Sequence, residues 1–231
     1  MGLAFQAGSA NAGGFLLCAR FVSHMTGFGT QVGVSLSRFD YSHALEMVSA
    51  PLVFMCGAMF SGVLIDRRML CNQRPRFILA MAIVAAIFTG VAIGGIMGLF
   101  GEFGLSSSIE RESVLLFSLS FACGLQNACF SSLTRGQIRT THLTGILTDV
   151  GTTFVKLPLM DREDRDAKLL RRVNYIRIMT FFSFSIGSMA SAIWFTWLGF
   201  WAFVILSSWA WLLTLAVWDR DRLIRRLKEA T

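Results

Sequence analysis

The chain has 231 residues, of which 54% are hydrophobic and only 15% charged, with a formal net charge of +7 and a mean hydropathy of +0.60. Such a composition excludes an ordinary water-soluble domain. The positive charge would suit a nucleic-acid partner, but it falls in short runs between apolar blocks, which is the pattern of membrane topology.

Six apolar blocks follow one another, at residues 3–21, 44–65, 77–99, 114–133, 176–196 and 200–218. Each is near the roughly 20 residues that cross a bilayer as a helix. They are apolar on most sides and carry Gly, Ala and Ser, the small residues that let membrane helices approach closely. The first block has no basic leader and no cleavage site before a soluble domain, so it is expected to be a retained first helix.

The basic residues fix an expected orientation. All of the 21 except Arg20, Arg38 and Arg111 lie between blocks two and three, between blocks four and five, at the very start of block five (Arg177), or after block six. With those segments in the cytoplasm, both termini are inside and six spans alternate without conflict. The five cysteines are odd in number, mostly within apolar blocks, and without metal-type pairing, so they are read as small packing residues.

Between the blocks lies an internal repeat. Residues 23–33 and 141–151 match at six of 11 positions: His24/His142, Thr26/Thr144, Gly27/Gly145, Thr30/Thr148, Val32/Val150 and Gly33/Gly151. Upstream, Asn11-Ala12 is echoed by Asn127-Ala128, and Arg20 by Arg139. Three spans separate the copies, which places one near each face of the membrane. The expected fold is therefore an all-α membrane protein of about six transmembrane helices in a single domain. Its parts are two inverted three-helix repeats, residues 1–100 and 112–218, followed by a basic cytoplasmic tail, residues 219–231.

Each copied segment is too short and polar for a full span. A complete crossing by residues 144–157 would put the charged stretch 161–172 outside, against the charge rule. Two readings stay open: a re-entrant half-helix, which implies a polar interior, and an amphipathic helix on the membrane surface.

The motifs Asn-Ala-Gly-Gly-Phe (11–15), Ser-His-Met-Thr-Gly (23–27), Gly-Leu-Gln-Asn-Ala (124–128) and Arg-Thr-Thr-His-Leu-Thr-Gly-Ile-Leu-Thr-Asp-Val-Gly (139–151) resemble the YoaK family, uncharacterised bacterial inner-membrane proteins carrying a domain of unknown function. The resemblance covers essentially the whole chain and departs from the pattern at Phe28, where Asn is expected. It implies an inner-membrane protein of about six helices and no particular substrate.

Inverted repeats recur in secondary transporters, with sites at the midplane between broken helices. On that basis the expected function is a small transporter or channel-like permease. The alternative is a membrane structural, interaction or lipid-handling protein. His24 and His142, at equivalent positions, are candidates for solute binding or titration near neutral pH, against a purely capping role. Asp149, opposite Gln31 in the first copy, is the candidate coupling carboxylate, with Arg139 as its counter-charge. Gln126 and Asn127 are buried amides that need partners. Thr26, Gly27, Thr144 and Gly145 would stand at half-helix amino termini, where free N–H groups favour an anionic solute. No phosphate-binding, nucleophile-elbow or zinc-protease motif is present, so no catalytic residue, metal or cofactor is expected. The expected partners are the lipid bilayer and an unknown small solute. A second copy is another, with the Trp-rich last hairpin as the contact.

Overall fold

The computed structural model describes residues 1–104, 109–134, 136, 140–161 and 163–229. Among these, the extended elements are helices: α1 (Gly2–Cys18), α2 (Met25–Ser37), α3 (Tyr41–Leu64), α4 (Asp66–Leu70), α5 (Phe77–Ile96), α6 (Ile109–Leu133), α7 (Leu143–Lys156), α8 (Arg165–Leu198) and α9 (Trp201–Glu229). A single 3-10 turn, Leu157–Leu159, follows α7. The six apolar blocks fall on α1, α3, α5, α6, α8 and α9, and the two copied segments begin α2 and α7.

Five helical stretches are long and apolar enough to cross a membrane: Tyr41–Leu70, Phe77–Ile96, Arg111–Leu133, Arg165–Leu198 and Trp201–Asp219. α1 has 17 residues, about 25 Å of helix, at the short end of the spanning range. Large apolar side chains stand outward along these helices, among them Leu52 and Met59 of α3, Ile93 of α5, Met189 and Ile193 of α8 and Leu212 of α9. An exterior of that kind matches a hydrocarbon solvent and not water.

The long helices pack in a fixed order. α3 lies against α6, α6 against α1, and α1 against α8, giving a row of four, while α5 and α9 pack on each other and on α6 and α1 respectively. The core between these layers is filled by Met47, Phe88, Leu116, Leu119, Phe195 and Phe203.

Four glycines set the closest approaches in the row. A Cβ added at Gly57 of α3 would collide with the Phe121 carbonyl oxygen of α6, and one at Gly124 of α6 with the Phe54 carbonyl oxygen of α3. The α1–α8 pair repeats this, Gly8 against the Phe184 carbonyl and Gly187 against the Phe5 carbonyl. Each of the four helices thus carries Phe-x-x-Gly, and each pair of helices uses the motif reciprocally. Removing the side chain lets the backbones touch, which is how helices gain packing in lipid. Hydroxyls strengthen the second pair: Ser9 donates to the Gly187 carbonyl (3.2 Å) and Ser188 to the Gly8 carbonyl (3.1 Å).

At one end of the bundle, Gly199 turns α8 into α9 with φ +53°. There Phe103 stacks on Phe195 (6.0 Å) and meets Phe200 edge-on (5.4 Å), fastening the α5–α6 connection to the turn. Two exposed tryptophans of the last hairpin tie α9 to its neighbours: the Trp209 indole donates to the Gly2 carbonyl (3.3 Å) and that of Trp211 to the Thr89 hydroxyl (3.2 Å).

Candidate functional site

The copied motifs form two matching folded-back segments. After α1 the chain reverses at Ala19, in the left-handed region (φ 52°). Val22 then packs over Gly14, and the side-chain amide oxygen of Asn11 (Oδ1) accepts from the Ser23 N–H (3.3 Å) and hydroxyl (2.9 Å). Asn11 lies seven residues before the end of α1, about 10 Å back along the helix. α2 starts from that level, runs beside α3 with Phe28 and Ser35 buried, and joins it through a tight turn in which Phe39 takes φ 59° and Asp40 caps α3 by accepting from His43 N–H (3.0 Å).

The second segment repeats the device. The side-chain amide oxygen of Asn127 (Oδ1) accepts from the Thr140 hydroxyl (3.2 Å) and the Thr141 N–H (3.3 Å). Asn127 is six residues before the end of α6, about 9 Å back along it. α7 then runs along α8 with Ile146 and Thr153 buried. Asn11 and Asn127 are therefore the anchors of the repeat, each satisfying an otherwise unpaired N–H.

His24 and His142 are the residues immediately before α2 and α7 and make no side-chain cap hydrogen bond. Both are exposed. Each ring folds over the first turn of its helix. A Cβ at Gly27 would come within 3.1 Å of the His24 ring, and one at Gly145 would collide with the His142 ring, so the glycines of the motif make room for the imidazoles.

The other candidate residues are spread out. Thr26, Gln31 and Thr144 are exposed on the two short helices. Asp149 pairs with Arg177 of α8 at 2.7 Å, with the carboxylate half exposed and the guanidinium mostly buried. Arg139, its expected counter-charge, lies outside the described residues. Gln126 accepts from Gln6 of α1 (2.9 Å) and donates to the Leu3 carbonyl (2.7 Å), tying α6 to α1. A cavity of about 10 Å³ beside this pair has room for one water.

Two features were not anticipated from the residues. Glu46 is buried and ion-paired with Arg20 (2.6 Å). It also accepts from the Ser113 hydroxyl (3.0 Å), with His43 3.6 Å away. This cluster locks the starts of α3 and α6 to the chain just after α1. The second feature is a groove of about 600 Å³ between α3 and α6, lined by Phe54, Asp66, Asn127, Ser131, Ser132 and Gly136 among others. It extends about 18 Å, from Asp66 at the start of α4 to Phe54 of α3. Asp66 accepts from Ser132 (2.9 Å) at its outer end, and the α7 anchor Asn127 forms part of its inner wall. Among the described residues, no group of three His, Cys, Asp or Glu side chains is placed to hold a metal ion.

An all-helical bundle with an apolar exterior, glycine-mediated backbone contacts and buried amide ties is a polytopic membrane protein. The model of the family described as "Protein of unknown function (DUF1275)" matches residues 1–217, and the chain belongs to that family, in keeping with the resemblance carried by its motifs. No curated protein and no solved structure matches it.

Proposed function

We propose that the chain is a small membrane transport protein built as two inverted repeats, with α2 and α7 as re-entrant half-helices that descend from opposite faces. The observation that carries this reading is the matched pair of anchors, Asn11–Ser23 and Asn127–Thr141. Each anchor lies three residues beyond the glycine of its helix's Phe-x-x-Gly crossing, about 4.5 Å along the axis. With the crossings at mid-depth, both half-helix amino termini stand close to the midplane, where sites of such transporters are built.

The repeat is supported by the reciprocal glycine contacts as well. In both pairs the first helix of one half meets the first full-length helix after the half-helix of the other, α1 with α8 and α6 with α3. In this reading α1 is the sixth span, the α4 and α7 ends of the bundle face the cytoplasm of a bacterial inner membrane, and both termini lie inside. The α3–α6 groove is then an inward-facing vestibule leading from Asp66 toward the α7 amino terminus. Its hydroxyl, amide and carboxylate lining suits a small polar solute.

The surface-lying alternative rests on α7, whose exposed Leu147 and Phe154 stand opposite Thr148, Asp149 and Thr152. Single cysteines at Thr26, Thr144 and Ser131, in a cysteine-free background, separate the two. Transport architecture requires that positions 144 and 131 react with a membrane-impermeant thiol reagent from the cytoplasmic side and position 26 only from the other. Protection of all three in the folded protein removes the vestibule and the reading with it.

A further inference from the structure

α4 sorts its side chains by charge. Asp66 and Met69, one turn apart, line the α3–α6 groove. Arg67, Arg68 and Cys71 point the other way and, with Val63 and Gln73, line a separate pocket of about 280 Å³. The pocket is held by its own backbone: Cys71 N–H donates to the Arg67 carbonyl (3.0 Å) and Gln73 N–H to the Arg68 carbonyl (2.7 Å). Arg68 Nε donates to the Arg74 carbonyl (2.8 Å), which fixes the plane of its guanidinium. Among the described residues neither Arg67 nor Arg68 has a carboxylate within ion-pair distance, and no acidic side chain lines the pocket.

Beside these two cations the chain exposes apolar surface. Leu70, the last residue of α4, is 85% exposed, and Val63 of the pocket wall is 50% exposed. Guanidinium groups directly adjoining bare aliphatic side chains, at the end of a membrane-spanning helix, mark the boundary between headgroups and acyl chains. The planar donors of arginine suit a phosphate better than a point charge does. A soluble phosphate would leave Leu70 and Val63 in water, whereas a lipid covers both parts at once.

We propose that this pocket binds the phosphate of an anionic phospholipid, with Arg67 and Arg68 on the headgroup, Gln73 beside it, and Leu70 and Val63 against the acyl chains. The proposal does not depend on the transport reading. The full chain in nanodiscs of phosphatidylcholine, with and without phosphatidylglycerol, tests it through the unfolding temperature followed by tryptophan fluorescence. A ligand that binds only the folded state raises that temperature. The native chain should gain several degrees from phosphatidylglycerol, R67Q/R68Q should lose most of that gain, and R172Q should keep it. The single variant R67Q, which leaves the Arg68–Arg74 bond in place, should lose part of the gain and serves if the double variant does not fold. The proposal is overturned by no gain in the native chain, by a full gain in R67Q/R68Q, or by an equal loss in R172Q. An equal gain from soluble glycerol phosphate in phosphatidylcholine nanodiscs also overturns it, because the site would then take a free anion and not a lipid.

Discussion

Asn11 holds Ser23 through two hydrogen bonds, to the N–H and to the hydroxyl, although 12 residues and the end of α1 separate them. The bond turns the chain back along the helix it has just left. Asn127 does the same for Thr140 and Thr141, so one chemical device places both short helices.

Asn11→Ala and Asn127→Ala should therefore act alike. Each leaves a backbone N–H and a hydroxyl without their acceptor, a loss of about 1–3 kcal/mol per buried unsatisfied group. Thermal unfolding in detergent should show a drop of several degrees for both. A drop in only one would mean that the two anchors are not equivalent.

The Phe-x-x-Gly crossings give a sharper steric test. Gly8→Ala, Gly57→Ala, Gly124→Ala and Gly187→Ala each drive a methyl into a carbonyl of the neighbouring helix, and the backbones have to separate. The monodisperse peak in size-exclusion chromatography should shrink strongly for all four. Gly90→Ala and Gly151→Ala meet nothing within 4 Å and should keep it, with a gain of up to about 1 kcal/mol from helix propensity.

The Arg20–Glu46 pair is buried enough that breaking it from one side is costly. Arg20→Ala strands the carboxylate of Glu46, which is only 7% exposed, and should destabilise by about 3–5 kcal/mol. The double replacement Arg20→Met with Glu46→Leu removes both charges and should recover much of that loss, measured as the unfolding temperature of each variant. An unrecovered double variant would show that Ser113 and His43 need the carboxylate as much as Arg20 does.

Asp149 should behave differently. Its carboxylate is 51% exposed, so its pair with Arg177 contributes at most about 1 kcal/mol and less in high salt. Asp149→Asn should unfold within a few degrees of the native chain. Under the transport reading the same variant abolishes solute flux in proteoliposomes while Asp149→Glu retains it, and an unchanged flux in Asp149→Asn would remove this residue from the coupling role.

Much of the architecture was legible in the residues because burial in lipid is written as length and hydropathy. The six blocks mark α1, α3, α5, α6, α8 and α9, and the repeated His-x-Thr-Gly marks the starts of α2 and α7. The partnerships were not legible. In a bilayer every face of a helix is apolar, so periodicity does not say which neighbour it meets. The crossed pairing of α1 with α8 and α3 with α6 therefore stayed hidden, and with it the groove at Asp66 and the burial of Glu46. For the same reason Arg177 of α8 was not legible as a partner of Asp149. One signal was present and went unread: Phe-x-x-Gly occurs at Phe5, Phe54, Phe121 and Phe184, once in each helix of the row. The role of Asn11 and Asn127 was visible only as an echo, since a hydrogen bond to Ser23 or Thr141 exists only once the chain has turned back.

The central claim, that α2 and α7 descend from opposite faces, is tested most directly by depth. Nitroxide spin labels at Thr26 and Ser37, and at Thr144 and Lys156, can be ranged by their relaxation with oxygen and with a water-soluble nickel chelate in reconstituted vesicles. The account predicts that positions 26 and 144 lie deeper than 37 and 156 by roughly 10 Å or more, given 1.5 Å of rise per residue. Equal depths within each helix, all at the headgroup level, would place α2 and α7 flat on the surface and contradict it.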